Sequence, residues 1–149
     1  MSPTPTRTHQ RAVRLLLVAL DEYCRAHGLG EALASPADIE FSPRRLVQPD
    51  VFVVPEIRAS WAEVRSLLLA IEVISPSSAR ADRMNKRRIY QNERVPEYWI
   101  VDLDARTFER WRPDDTRPEV LLDVITWEPR DGIPPLEINL PGFFDSALR

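Results

Sequence analysis

The stretch that decides the fold is L-L-L-A-I-E-V-I-S-P-S-S-A-R-A-D-R-M-N-K-R-R-I-Y-Q-N-E-R-V-P-E-Y-W-I-V-D, residues 67 to 102. Leu67 to Ala70, Ile71, Val73 and Ile74 make an apolar run of strand length, rich in branched side chains, that reads as a central strand covered on both faces. Glu72 interrupts it. An ionised carboxylate buried without compensation is unfavourable by roughly several kcal/mol, so the pattern demands a partner for Glu72.

Working outward, residues 79 to 94 contain no proline or glycine and read as a helix, with the serines of S-P-S-S as N-terminal caps and Pro96 marking its end. Tyr98 to Val101 is a second buried strand. Strand, helix, strand predicts a right-handed crossover between parallel neighbours. Upstream, Val13, Leu16, Leu17, Leu20 and Cys24 follow helical spacing and Gly28 is a suitable terminator. Residues 37–42 and 47–54 are strand-like and joined by S-P-R-R, which predicts a hairpin. Residues 55–66 read as a polar connection with a short helical turn around Trp61, residues 107–112 and 120–126 as further strands, and residues 129–141 as proline-rich loop with short extended pieces.

The 149 residues suit one domain, 1–149, with residues 1–8 as a loose lead-in and 129–149 as a C-terminal tail packing on the core. A content of 44% hydrophobic and 29% charged residues is that of a globular protein, and no run approaches the ~18 apolar residues of a membrane span. The basic start followed by L-L-L-V-A-L lacks the cleavage site of a signal peptide and reads as helix. One cysteine excludes an internal disulfide framework and fits a cytoplasmic location. With a net charge of −3 the whole molecule is no general polyanion binder, so a nucleic-acid contact needs a local patch.

Such a patch exists on the helix after Glu72, where Arg80, Arg83, Lys86, Arg87, Arg88 and Arg94 outnumber Asp82 and Glu93. The chemistry would come from two acids. Asp50 and Glu72 lie on consecutive strands of this reading and can meet near one end of the sheet if those strands pair. Two carboxylates at that distance raise each other's pKa, and a divalent cation removes the conflict. Mg²⁺ with a few carboxylate oxygens and several waters suits phosphate substrates. Asp82, Lys86 and Tyr90 are spaced i, i+4, i+8 on one helix face. A lysine aimed at the acids would offset charge on a phosphodiester transition state. Plainer readings compete: Glu72 as an acid paired with arginine or reaching water, Asp50 as a strand-start acid bonding backbone amides, Lys86 as a solvated lysine, Asp82 as a helix-start charge, Tyr90 and Trp99 as core packing. Glu40 shares a face with Asp38, and solvent exposure explains both. His9 and His27 stand far apart, which argues against a histidine metal site. The serines near Glu72 lack a histidine base, and there is no glycine-rich phosphate loop.

The pieces P-D-V at Pro49 to Val51, E-V-I-S-P-S at Glu72 to Ser77, Asp82, Lys86, Tyr90 and V-P-E-Y-W-I-V-D at Val95 to Asp102 resemble the Uma-two family of the PD-(D/E)XK nuclease superfamily, over roughly residues 8 to 112. The resemblance implies an α/β (α+β) fold, a mixed-sheet restriction-endonuclease-like core flanked by helices, and a metal-dependent endonuclease acting on DNA. Asp50, Glu72 and the Val73 carbonyl would hold Mg²⁺, with Mn²⁺ as a substitute. Ile74 occupies the usual lysine position, which transfers the catalytic lysine to Lys86. Asp82, Tyr90 and Glu40 stand as further site candidates, and Arg80, Arg83, Arg87 and Arg88 as contacts to the DNA backbone. A homodimer is consistent with cutting both strands. Relatives usually carry an additional acidic strand ahead of the first long helix, near which this chain begins. That and the acidic net charge motivate the alternative, a catalytically silent nucleic-acid-binding or oligomerisation module.

Overall fold

The quoted apolar run becomes β5 (Leu69–Ile74), buried along its whole length inside a six-stranded sheet of order β1-β4-β5-β6-β7-β8. The structure is a computed structural model describing residues 6–42, 45–56, 66–75 and 80–149, and only the backbone at residues 45 and 80–82. In chain order the elements are α1 (Arg7–His27), β1 (Glu31–Ala34), β2 (Ile39–Ser42), β3 (Arg45–Val47), β4 (Val51–Val54), β5, α2 (Arg80–Asn92), β6 (Glu97–Asp102), β7 (Thr107–Trp111), β8 (Glu119–Leu121), β9 (Val124–Trp127), β10 (Leu136–Asn139) and α3 (Leu140–Leu148). β5 pairs antiparallel with β4 and parallel with β6, so strand, helix, strand is the expected parallel unit. The fold is the mixed sheet with helices that the sequence suggested.

Side-chain alternation along the strands divides the interior in two. Val51, Val53, Leu69, Ile71, Val73, Trp99 and Val101 face α1 and α3, meeting Ala12, Leu16 and Leu20 from one helix and Phe143, Phe144 and Ala147 from the other. Phe52, Val54, Ala70, Ile74, Tyr98 and Ile100 face the other way, toward Tyr90 of α2 and toward Ile39 and Val47 of the β2–β3 hairpin. α1 starts with the Thr6 side chain accepting the His9 amide at 3.2 Å and ends at Gly28, whose φ of 63° supplies the left-handed cap. Two residues on, Gly30 passes so close to β4 that a Cβ would lie 2.1 Å from the Val54 carbonyl oxygen, which only glycine permits.

Several boundaries differ from the sequence reading. The expected hairpin forms between β2 and β3, but β4 leaves it for the main sheet and pairs with the unanticipated β1. The single strand expected over 120–126 is two, β8 on the main sheet and β9 paired with β10. The expected proline-rich tail ends in a helix: Asn139 caps α3 by accepting the Gly142 amide at 2.8 Å, and Pro141 sits in the first turn, where a missing N–H costs nothing. The expected turn around Trp61 and the capping serines of S-P-S-S lie outside the described residues. Among the described residues no helix is long and apolar enough to cross a membrane.

One buried charge belongs to the scaffold. Arg110 on β7, 6% exposed, donates to the Thr126 carbonyl at 2.6 Å and to Glu119 at 2.8 Å, and lies 3.4 Å from Glu97. It ties β7 to β6, β8 and β9. Removing one partner of a buried pair leaves an uncompensated charge, so Arg110→Ala is expected to destabilise by about 3–5 kcal/mol in urea unfolding. The hydrogen bond from Arg110 holds the Glu119 carboxyl below its ordinary 4.5. The associated stability is present above that value and lost as pH falls through the folded-state pKa. Glu119→Gln should therefore be less stable than the wild type at neutral pH, with the gap narrowing on acidification below pH 4.5.

Candidate functional site

β4 begins at Val51, opposite Ile71, while β5 runs on to Ile74, and the site forms where the ladder runs out. The paired register ends at Val51↔Ile71, and the Asp50 amide also donates to the Ile71 carbonyl, at 3.0 Å, which holds Asp50 at the end of the ladder. Glu72 shares the parity of Ala70 and Ile74 and so belongs to the sheet face that α2 covers. Val73, one residue beyond, has no β4 partner for its backbone groups. Its amide donates instead to Asp50 Oδ2 at 2.8 Å. His9, in the first turn of α1, faces the Val73 backbone and brings Nε2 to 3.4 Å from the same Asp50 oxygen. That hydrogen bond and the negative charge of Asp50 raise the imidazole pKa against the opposing effect of burial.

Glu72 is 5% exposed, the buried acid that the sequence made conspicuous. α2 answers it with two side chains one helical turn apart. Lys86 Nζ lies 3.6 Å from Oε2, and the Tyr90 hydroxyl donates to Oε1 at 3.4 Å. The partners seen on Glu72 are thus a lysine and a phenol. Tyr90 is core packing, its ring fully buried, 4.5 Å from Tyr98 and edge-on to Phe41, and its hydroxyl reaches the carboxylate from within that core. Burial, then the Glu72 charge, push its pKa well above 10.0, so the phenol keeps its proton and acts as a donor. Lys86 differs from these neighbours in being 37% exposed.

The other candidates divide. Glu40 does not converge: it is exposed, on the side of β2 opposite Phe41 and its contact with Tyr90. Arg88 is exposed, whereas Arg83 and Arg87 are half-buried. Arg87 lies over the Trp111 ring at 4.3 Å and donates to Gln91 at 3.1 Å, so part of its capacity is spent inside the molecule. With Arg83, Met84, Ile100 and Glu109, these two line a cavity of about 240 Å³ between α2 and the sheet. The side chains of Asp82 and Arg80 lie outside the described residues.

Among the described residues no three His, Cys, Asp or Glu side chains already gather as a metal cage. The donor chemistry nonetheless suits a hard cation: two carboxylates, Glu72 within β5 and Asp50 bonded to the amide of the next residue, Val73, at the end of the paired ladder. A protein nitrogen stands at each acid, His9 at one and Lys86 at the other. Sequence reasoning set His9 aside because His27 was remote. The usable signal was its phase: His9 falls on the same helical stripe as Val13, Leu16, Leu20 and Cys24, so a titratable ring was due on the inward face of α1.

The fold is shared with solved structures. A protein from Anabaena variabilis ATCC 29413, whose crystal structure is described as that of a "putative nuclease belonging to DUF820", superposes with a TM-score of 0.75 over 99% of this chain and 86% of that one. Its 16% identity makes this a likeness of fold. No curated protein matches the chain. The model of the family described as "Uma2: Putative restriction endonuclease" matches residues 1–141, and the chain belongs to that family.

Proposed function

We propose that the chain is a divalent-metal-dependent endonuclease that hydrolyses phosphodiester bonds in DNA. The observation that carries the reading is the Lys86 ammonium, half-open to solvent, 3.6 Å from a buried carboxylate whose neighbour Val73 donates its amide to a second acid, Asp50. A scaffold seeking stability alone is served as well by apolar packing at such a place, and an ion pair kept there needs another reason. Family membership makes phosphodiester chemistry that reason.

Asp50, Glu72 and the Val73 carbonyl would hold Mg²⁺ or Mn²⁺. Such a cation, when bound, acidifies water and offsets charge on a phosphate oxygen. The protein's own groups do the rest. Lys86 presents a positive charge where the scissile phosphate gains negative charge, and orients the attacking water through its N–H donors. Tyr90 pins one oxygen of Glu72, so the carboxylate keeps its direction while Lys86 exchanges partners. Arg88, the exposed edges of Arg83 and Arg87, and Arg80 would seat the DNA backbone along α2, a contact set by charge rather than by base sequence.

The second reading, a silent nucleic-acid-binding or oligomer-forming module, draws on the protein partners that both acids already possess. The two readings separate in a cleavage assay. With Mg²⁺ or Mn²⁺, the wild type is expected to nick supercoiled plasmid, and Lys86→Ala to lower the rate by about 10²-fold or more while the protein stays folded. Equal rates in the two proteins would remove Lys86 from the chemistry, and no cleavage by the wild type on plasmid or single-stranded DNA would favour the silent module.

A further inference from the structure

We infer that the cavity between α2 and the sheet is a subsite for one nucleotide of a single-stranded DNA segment, in which Arg83 takes the phosphate and Glu109 selects a base that carries an exocyclic amine. The inference deepens the nuclease reading and rests on it only for the identity of the strand. Glu72, Ile100 and Glu109 are register partners on β5, β6 and β7, so they stand in one row on the sheet face that α2 covers. At ~4.8 Å per strand, Glu109 lies about 10 Å from the acid beside Lys86. A DNA strand advances about 3.4 Å per nucleotide along a duplex, so one with its scissile phosphate at Lys86 reaches the cavity within about three nucleotides.

The lining has a use for each part of a nucleotide. Arg83 and Arg87 stand one turn apart on α2. Arg87 is already engaged, 4.3 Å over the Trp111 ring and bonded to Gln91 at 3.1 Å, and so forms a fixed wall. Arg83 is half-buried at the cavity and, among the described residues, makes no hydrogen bond or ion pair. Its donors remain for a phosphate oxygen. Met84, 41% exposed, and Ile100 add apolar surface against which a base can lie, with the Arg87 guanidinium as a flat neighbour. Glu109 spends Oε2 on the Trp111 indole at 3.2 Å, while its Oε1 has no partner among the described residues. An ionised carboxylate only accepts, so it favours cytosine, whose N4 amine donates, over uracil, which presents a carbonyl oxygen there. A volume of about 240 Å³ equals about eight waters at ~30 Å³ each, room for one base and not for a base pair.

The test is fluorescence anisotropy of short labelled single strands of deoxycytidine and of deoxyuridine, measured in EDTA so that binding is read without cleavage. The wild type is expected to bind the deoxycytidine strand about 5- to 10-fold more tightly. Glu109→Gln keeps an acceptor for the Trp111 indole but also presents an N–H donor, and should reduce that preference to within about twofold. Arg83→Ala should weaken both strands alike and lower the salt slope by about 0.7, as loss of one phosphate contact requires. Free deoxycytidine monophosphate should displace the strand only in large excess; competition on equal terms would make the cavity a site for free nucleotides and overturn its assignment to DNA. Equal binding of the two strands by the wild type, the same preference in Glu109→Gln, or an unchanged affinity in Arg83→Ala overturns the inference even if the protein cleaves DNA. A preference that disappears in Glu109→Gln, in a protein that never cleaves, upholds it and removes only the nuclease reading. Failure of the wild type to bind either strand overturns it outright.

Discussion

A carboxylate on a strand that is covered from both sides is the constraint around which the rest is arranged. Glu72 could reach neither bulk water nor the apolar layers above and below without large cost, so elements around it had to bring polar groups inward. α2 does so with an amine and a phenol, and the start of β4 at Val51 leaves the Val73 amide to a second acid, Asp50. Each of these arrangements is locally unfavourable in the absence of the others. Together they place charge of both signs at one corner of the sheet.

The two buried ionic clusters show how the same chemistry takes different work. Arg110 is enclosed by acids and by a backbone carbonyl, a planar fork with its donors engaged from several strands. Lys86 is a flexible ammonium 3.6 Å from Glu72, with more than a third of its side chain accessible. The first holds strands together. The second stays within reach of solvent, as a group that must meet an incoming phosphate would require.

Much of this was legible in the sequence, and the misses have physical causes. The run through Ile71 and Val73 announced a central strand because covering both faces removes the alternation of a half-exposed one, and the stripe from Val13 to Cys24 announced α1. Glu72 stood out because a charge against an apolar pattern asks for a partner, whereas Lys86, by spacing alone a solvated lysine in a basic helix, was singled out by the family resemblance. β1 escaped because Glu31–Ala34 is too short to carry a period, and its strand identity comes from pairing with β4. α3 escaped because Pro141 and Gly142 read as loop, although proline is welcome in a first turn and Phe143 and Phe144 supply the buried face. The contact of His9 with Asp50 joins residues 41 positions apart through tertiary packing, which spacing along the chain does not encode.

The far end of α2 has a consequence for how the near end acts. Gln91 donates to the carbonyls of Arg112 and Asp115 at 3.0 and 2.9 Å, and Arg87 is stacked on Trp111, so the last turns of the helix are moored to the strand β7 and the turn that follows it. Sliding α2 by one turn along its axis would carry Lys86 about 5.4 Å from the acid and break every one of these moorings at once. The amine is therefore set by a ruler whose zero mark lies on the opposite flank of the sheet, and a change at Trp111 or Gln91 would be read out as a misplaced charge rather than as a loosened surface.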